Sequence, residues 1–191
     1  MSGANTAGLA RWIGLSGHIA SGKTTVACHL SRCYGYRYAR YSQVLANMLE
    51  SQGKAVNRRN LQEIGEEVNQ TMGGAGLTGI LVSGLADDSP AAIDGLRHLS
   101  DVEALKRHNP RFALVYMRAS DSIRRHRYEV DWVEGAPSFD QACDHPVERE
   151  VALLEGCADV VFDNNDSLEA LFAAIRSVLF AFDAAGSDVG C

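Results

Sequence analysis

Short apolar runs alternate along the chain with longer segments in which apolar residues recur every three or four positions. The apolar runs predict buried strands at residues 11–16, 36–41, 90–94, 111–117 and 159–162. The segments between them predict helices at residues 23–33, 43–52, 57–72, 77–85, 101–108, 121–128, 139–154 and 167–182. Strands that alternate with helices form a parallel sheet covered on both faces, so the pattern predicts an α/β fold with about five strands.

The chain shows no internal repeat and no linker that would mark a domain boundary, so residues 1–191 are expected to form one domain. Ser42 is a plausible N-cap for the second helix. The tail from about residue 184 is expected to be flexible.

Ligands of parallel α/β sheets bind at the carboxyl ends of the strands. The residues that directly follow or end a predicted strand are therefore the first candidates for a site. They are Gly17, Tyr41, Ser42, Asp94, Arg118, Asp163 and Asn164.

Residues 17–24 read Gly-His-Ile-Ala-Ser-Gly-Lys-Thr and fit the phosphate-binding pattern G-x-x-x-x-G-K-[ST]. Glycines let the backbone wrap around a phosphate, so that successive N–H groups and the positive end of the next helix face it. Lys23 is expected to reach the β- and γ-phosphates of a nucleoside triphosphate, and the Thr24 hydroxyl to ligate magnesium. Nucleotide contacts are expected from Gly17, Ala20, Ser21, Gly22, Lys23, Thr24 and Thr25. The alternative is a glycine-rich turn with an exposed lysine. It fits less well because the motif lies between an apolar strand and an amphipathic helix.

Magnesium beside such a loop usually needs a carboxylate from a neighbouring strand end. Asp94 ends an apolar strand and is the best candidate, with an Asx-turn or a helix cap as the alternative role. Asp87 and Asp88 lie in a polar turn that favours simple solvation. Asp163 also ends a strand, but the asparagines that follow it indicate a loop that reads a base or a sugar.

Arginines in two places are candidate phosphate clamps. Arg97 comes three residues after Asp94 and is suited to an acceptor phosphate or carboxylate. Arg124 and Arg127 share one face of a helix and are expected to point into the site as lid residues, whereas Arg125 faces solvent. The alternative for this segment is a solvated basic face.

Composition and charge narrow the classes of function. A net charge of −6 and a pI near 5.5 do not favour a basic face for nucleic acid. The chain has no apolar stretch long enough for a membrane span, and its first ten residues do not resemble a signal peptide. Five cysteines without metal or disulfide spacing indicate a reducing, cytoplasmic location.

The sequence resembles the dephospho-CoA kinase and deoxynucleoside monophosphate kinase group of P-loop kinases. Matches in chain order cover most of the protein, although only the phosphate loop is highly specific. They comprise residues 17–25, 42–45, 60–62, 65–67, 94–97, 102–103, Arg124, Arg127, Asp144, Glu148, residues 158–159, Asn164 and residues 167–169. The resemblance implies a three-layer α/β/α fold, a helical acceptor region near 42–85, a small lid near 118–140, and ATP with Mg²⁺. It also implies that Asn164 lies near the adenine, and that Ser42, Gln43 and Arg97 face the acceptor.

The acceptor half of the site departs from the pattern of these relatives. They usually carry an aspartate at position 43, where this chain has Gln43, which cannot take a proton. They often carry arginines at positions 46 and 69, where this chain has Ala46 and Asn69. The departures have three interpretations: an acceptor without a phosphate of its own, a double role of Asp94 as magnesium partner and base, or loss of catalysis.

These observations favour ATP-dependent phosphorylation of a small molecule, such as a nucleoside, a nucleotide or a related metabolite. A nucleotide-binding regulator or scaffold without turnover is the alternative from another class. Phosphorylation of nucleic-acid ends is disfavoured by the acidic charge.

Overall fold

The computed structural model describes residues 12–73, 75–85, 89–134 and 136–187. Its centre is a sheet of five parallel strands in the order β2-β3-β1-β4-β5. The strands are β1 (Trp12–Ser16), β2 (Arg37–Arg40), β3 (Ala91–Asp94), β4 (Phe112–Arg118) and β5 (Val160–Asp163). The α/β class and the five parallel strands predicted from the sequence are therefore confirmed.

Nine helices are present in the described part of the chain. The first five are α1 (Lys23–Tyr34), α2 (Tyr41–Ser51), α3 (Arg58–Met72), α4 (Gly76–Ser83) and α5 (Leu99–His108). The others are α6 (Asp121–Val130), α7 (Phe139–Cys143), α8 (Pro146–Leu153) and α9 (Leu168–Ser187), and a 3-10 turn (Leu154–Cys157) follows α8. None of these helices combines the length and the apolar character that a membrane span requires.

Both faces of the sheet are buried, as a parallel sheet requires. On one face, Trp12 and Leu114 pack with apolar residues of α4, α5 and α8. On the other face, Ile13 and Val115 pack with residues of α1 and α9. Neighbouring positions of β1 and β4 thus point into opposite layers, which gives the three-layer arrangement.

Helices α2, α3 and α4 form a small group with its own core of Leu49, Ile64 and Val68. A buried chain of hydrogen bonds ties this group to α5. The Tyr41 hydroxyl shares a 2.8 Å hydrogen bond with Thr78, and Thr78 donates to Asp101 at 3.0 Å. These helices correspond to the helical region that the sequence places near residues 42–85.

The predicted capping role of Ser42 is wrong. Helix α2 begins at Tyr41, two residues before the predicted start at residue 43, and extended Arg40 is the N-cap without a side-chain hydrogen bond. Tyr41 belongs to the first turn of α2 because its ring is buried and its hydroxyl is hydrogen-bonded to Thr78.

The segment that the sequence analysis expects to be flexible from about residue 184 is helical as far as Ser187. Helix α9 continues through Ser187, and alanines at 184 and 185 favour this extension because alanine is the strongest helix former. Residues 188–191, the first eleven residues, Asp87 and Asp88 lie outside the described part of the chain.

Candidate active site

The loop between β1 and α1 is bent in the way a phosphate cradle requires. Gly17 and Gly22 have φ angles of 135° and 101°, in the region that side chains disfavour. A Cβ atom at Gly17 would collide with the carbonyl oxygen of Met117, and one at Gly22 with the amide of Asn164. Ala20 also has a positive φ, of 59°, which is unusual for a residue other than glycine. The loop holds this conformation because it is packed against β4 and the segment after β5.

The Lys23 side chain points back into the phosphate loop, which precedes it in the chain. Its Nζ donates to the carbonyl oxygens of Gly17 at 2.6 Å and of His18 at 2.8 Å. Burial of the ammonium group lowers the pKa of Lys23 to about 8, although the charge of Asp94 opposes the shift. An ammonium group held in this way is a cation that an incoming phosphate would stabilise.

Asp94 forms the second part of the site, at the carboxyl end of β3. It is 5% exposed, and its Oδ2 accepts hydrogen bonds from Thr24 Oγ1 and from the Tyr38 hydroxyl, each at 2.9 Å. The sheet register places β3 beside β1, so the strand-end acid lies next to the first turn of α1. Burial, followed by the charge of Asp94, raises the pKa of the Tyr38 phenol, so Tyr38 remains a hydrogen-bond donor at neutral pH.

The oxygen atoms of Thr24 and Asp94 suit Mg²⁺, which prefers hard oxygen ligands and usually takes only one or two from the protein. Within the described residues, no group of three or more His, Cys, Asp or Glu side chains could hold a metal ion by itself. A magnesium ion at this pair would thus share its coordination with phosphate oxygens and water, as a nucleotide-bound ion does.

The predicted lid arginines are placed against the phosphate loop. Arg124 is 6% exposed and donates from Nη1 to the Ile19 carbonyl at 3.2 Å. Arg127 donates from Nη2 to the Asn164 carbonyl at 3.1 Å. Arg125 instead forms an ion pair with Asp140 at the surface. The three arginines therefore divide between two faces of α6 as the helical spacing predicts.

Several buried polar groups around the loop have no partner among the described residues. They are Ser21 Oγ, Arg124 Nε and Arg127 Nη1. Buried N–H groups are nearly always hydrogen-bonded in folded proteins, so unpartnered ones that surround a phosphate loop indicate a place for an anion. Burial also lowers the pKa of Arg127, an effect that a bound anion would offset.

Asn164 lies beneath the loop, directly after β5. Its side chain is 4% exposed and donates from Nδ2 to the Ser21 carbonyl at 2.9 Å. The amide thus supports the loop backbone, and its proximity to an adenine stays a prediction.

The residues predicted to meet the acceptor are more scattered. Ser42 and Gln43 are exposed at the start of α2, where Gln43 Nε2 donates to Asn47 at 2.9 Å. The Arg97 side chain is about half exposed, and its Nη1 lies 4.0 Å from Glu148 Oε1. Thr25 is exposed on α1.

Glu148 of α8 is a site residue to which sequence reasoning assigned no role. It is 7% exposed, and its Oε2 accepts from His18 Nδ1 at 2.8 Å and from the Ile19 N–H at 3.3 Å. Burial raises the pKa of Glu148, but the hydrogen bond from His18 and the charge of Arg97 outweigh it, and the net shift is downward. Its position in the chain offers no local signal, because 130 residues separate it from His18. The chain-order match at Glu148 was the single hint.

Tyr38 is another partner of Asp94 to which the sequence analysis assigned no role. The available signal was its position two residues before the end of β2, which pairs with β3. Tyr38 lies opposite Ala92, so its side chain is on the same face of the sheet as those of Ala92 and Asp94.

No protein-family model matches the chain, and a search of the curated proteins finds no relative. Solved structures do match. TT1252 from Thermus thermophilus is 21% identical over 89% of this chain and 96% of its own, with a TM-score of 0.59. A gluconokinase from Sinorhizobium meliloti 1021 is 16% identical over 95% and 96%, with a TM-score of 0.54. Shikimate kinase from Acinetobacter baumannii, in complex with shikimate, is 15% identical over 90% and 93%, with a TM-score of 0.53.

The chain shares the α/β fold of these structures. At these identities the likeness shows the fold, and the chemistry has to be argued from the site.

The two faces of α6 allow a matched test of the lid arginines. Arg124→Ala and Arg127→Ala should each lower kcat with a smaller change in KM, because lid arginines meet charge that develops in the transition state. Hydrogen bonds to charged groups are worth about 1.5–3 kcal/mol, which corresponds to roughly tenfold to hundredfold in rate. Steady-state kinetics measure the effect, with thermal unfolding as the check on folding.

Arg125→Ala is the control on the same helix, since surface ion pairs such as that with Asp140 contribute at most about 1 kcal/mol. If all three alanine variants lost the same activity, the distinction between the two faces of α6 would be wrong.

Proposed function

We propose that the protein is an ATP- and Mg²⁺-dependent kinase of a small hydroxylated acceptor that carries no phosphate of its own. The observation that carries the proposal is the convergence of Lys23, the Thr24–Asp94 pair and the unpartnered N–H groups of Arg124 and Arg127 on one loop. Phosphoryl transfer depends mainly on positioning and on neutralisation of charge, which these groups are suited to provide. Bound magnesium would supply part of that neutralisation.

The acceptor side lacks the cations that a phosphorylated acceptor needs. A monophosphate carries close to two negative charges, and burying them beside ATP requires cationic partners. Ala46, at one of the relatives' arginine positions, is buried in the apolar helical group and is 8% exposed. Asn69, at the other position, lines a cleft of about 260 Å³.

The composition of this cleft supports an uncharged or singly charged acceptor. Its described lining consists of Asn69, His98, Leu99, Ser100, Glu150 and Leu153, and none of these is a lysine or an arginine. The Asn69 amide and the Ser100 hydroxyl are suited to hydroxyl groups of an acceptor. The His98 imidazole is hydrogen-bonded to Glu150 at 2.5 Å, so this pair brings no uncompensated positive charge for a phosphate. Arg97, the residue before His98, remains as a partner for a single carboxylate. Two structural neighbours bear the names of kinases for shikimate and gluconate, which are unphosphorylated hydroxy acids.

A panel of acceptors tests this proposal. ADP release should be stimulated by hydroxy acids, polyols or nucleosides and much less by AMP, CMP, GMP, UMP, their deoxy forms or dephospho-CoA. If any ordinary monophosphate gave a kcat/KM of about 10⁴ M⁻¹s⁻¹ or more, the range of efficient enzymes, the proposed acceptor class would be wrong. If the protein bound the nucleotide but no acceptor stimulated ADP release, the result would instead support the alternative of a regulator without turnover. Gln43 in place of an aspartate is the residue that favours this alternative.

A further inference from the structure

An imidazole–carboxylate pair occupies the second position of the phosphate loop. His18 Nδ1 shares a 2.8 Å hydrogen bond with Glu148 Oε2, and the imidazole is about one third exposed. Its Nε2 has no hydrogen bond to any residue that the structure describes. Since Glu148 is ionised at neutral pH, Nδ1 carries the hydrogen and Nε2 of the neutral ring is a free proton acceptor.

This pair lies between the two halves of the site. The His18 carbonyl accepts a 2.8 Å hydrogen bond from Lys23, the group expected to reach the β- and γ-phosphates. The other oxygen of Glu148 is 4.0 Å from Arg97, the cation on the acceptor side. The imidazole is therefore close to the phosphate loop and to the place where an acceptor would be held.

We propose that His18 is the general base that takes the proton of the acceptor hydroxyl, and that Glu148 is the positioning residue that orients its imidazole. The proposal rests on the proposed kinase function. It assigns to the loop the role of proton acceptor, which the amide of Gln43 cannot perform.

The other acids near the loop are less suited to this task. Asp94 Oδ2 accepts hydrogen bonds from Thr24 and Tyr38, which directs the carboxylate to the magnesium side. Glu148 has a lowered pKa and both of its oxygens face cationic or N–H groups, so it is a weak base. As a carboxylate beside the imidazole, however, it stabilises the imidazolium that forms when the proton is taken.

The O–H bond of the acceptor breaks, and its proton goes to His18 Nε2. The hydroxyl oxygen forms a bond to the γ-phosphorus of ATP, and the bond from that phosphorus to the β,γ-bridging oxygen breaks, with the electron pair leaving on ADP. The imidazolium then releases its proton to solvent.

Charges of both signs face His18 from the surrounding elements. Glu148 of α8 and Asp121 of α6 supply negative charge, and Arg97, Arg124 and Lys23 supply positive charge. The Tyr116 ring packs edge-on at a centroid distance of 6.4 Å.

Replacement of His18 by glutamine tests the proposal. Loss of a general base typically costs about 10²-fold to 10⁴-fold, and we expect kcat of His18→Gln to fall by about 10²-fold. The component of the acid limb that is due to His18 should disappear, while the component due to protonation of ATP remains in both enzymes. Affinity for a non-hydrolysable ATP analogue with Mg²⁺, measured by calorimetry, should stay within about threefold, because the base acts on the acceptor.

Chemical rescue distinguishes a base from a residue that merely holds the loop. Substituted imidazoles should restore activity to His18→Ala, with rates that follow their basicity. Glu148→Gln keeps a hydrogen-bond acceptor for Nδ1 but removes the charge, so it should lose less activity than His18→Gln. His108→Gln, an exposed change at the far end of α5, is the control.

If kcat of His18→Gln stayed within about threefold of the value for the unaltered enzyme, the assignment of His18 as the base would be wrong, and the proposed kinase function would stand. A parallel loss of analogue affinity and kcat with an unchanged acid limb would also contradict this assignment, because that pattern indicates support of the loop. Absence of acceptor-stimulated ADP release in the unaltered enzyme across the whole panel would overturn the proposed function and this assignment together.

Discussion

Lys23→Ala is expected to lower kcat/KM for ATP by about 10³-fold, the upper end of the cost of removing one transition-state donor. In the proposed reaction the ammonium group would act on the bound triphosphate and on the charge that develops during transfer, so the loss should be this large. In the free protein it donates to the carbonyl oxygens of Gly17 and His18, so the cation is already placed at the centre of the loop. Titration calorimetry with an ATP analogue and Mg²⁺ measures the loss of affinity, and steady-state kinetics measure the loss of turnover.

The lowered pKa of Lys23 gives this prediction a pH signature. Below about pH 8 the lysine of the free protein is already charged, so nucleotide affinity should not depend on this group. Above about pH 8 the free lysine is neutral and must take up a proton when the polyanion binds. Affinity should then fall by up to about tenfold per pH unit, and this component should be absent from Lys23→Ala.

Lys106→Ala is the matched control, since Lys106 is exposed on α5. Unchanged affinity and turnover of Lys23→Ala would contradict the assignment of the loop as a nucleotide site. A fall of affinity that persists above pH 8 in Lys23→Ala would show that another group is responsible.

Much of the proposed nucleotide site could be predicted from the sequence, because the patterns that indicate it lie within short segments of the chain. Residues 17–24 are contiguous, and the apolar strand before them and the helix after them fix where the loop stands. Asp94 was found by a rule that uses only the end of a strand, because all strands of a parallel sheet end at the same edge. Separation of Arg124 from Arg125 followed from helical periodicity alone.

The acceptor half depends on contacts between distant parts of the chain, which no local pattern reports. Glu148 reaches His18 across 130 residues, and its role follows from the docking of α8 onto the loop. The sequence analysis assigned no role to the His18 side chain, and the task that we propose for its imidazole rests on the placement of Glu148. Asn69 lines the cleft because the end of α3 lies beside the start of α5, an arrangement set by tertiary packing.

The start of α2 shows how a tertiary contact overrides a local preference. Serine at position 42 is a good capping residue, yet the helix includes Tyr41 because the buried Tyr41–Thr78–Asp101 chain anchors the tyrosine. The consequence for the site is that Ser42 and Gln43 lie in the first turn, with exposed side chains at the edge where β2 ends.

Asp94→Asn is expected to lower turnover by about 10³-fold, because a metal ion held in place supplies several kcal/mol of transition-state stabilisation and each 1.36 kcal/mol is tenfold in rate. The amide oxygen of asparagine can still accept hydrogen bonds from Thr24 and Tyr38, so thermal unfolding should change little. A titration of Mg²⁺ at saturating ATP should show a higher magnesium requirement in the variant. Tyr38→Phe removes one donor and leaves the carboxylate, so its effect should be much smaller.

Asp94→Asn should also act on Lys23. The charge of Asp94 raises the pKa of the lysine, against the larger lowering by burial. Removing that charge should lower the pKa of Lys23 further, so the alkaline fall in nucleotide affinity should move to lower pH.

Asp131→Asn, an exposed change after α6, should leave the magnesium requirement and the pH profile unchanged. If Asp94→Asn kept the wild-type rate across the magnesium titration, Asp94 would be a residue of the turn after β3 and the metal would be held elsewhere. If the rate fell while the alkaline limb stayed in place, Asp94 would act on the metal without the charge coupling to Lys23.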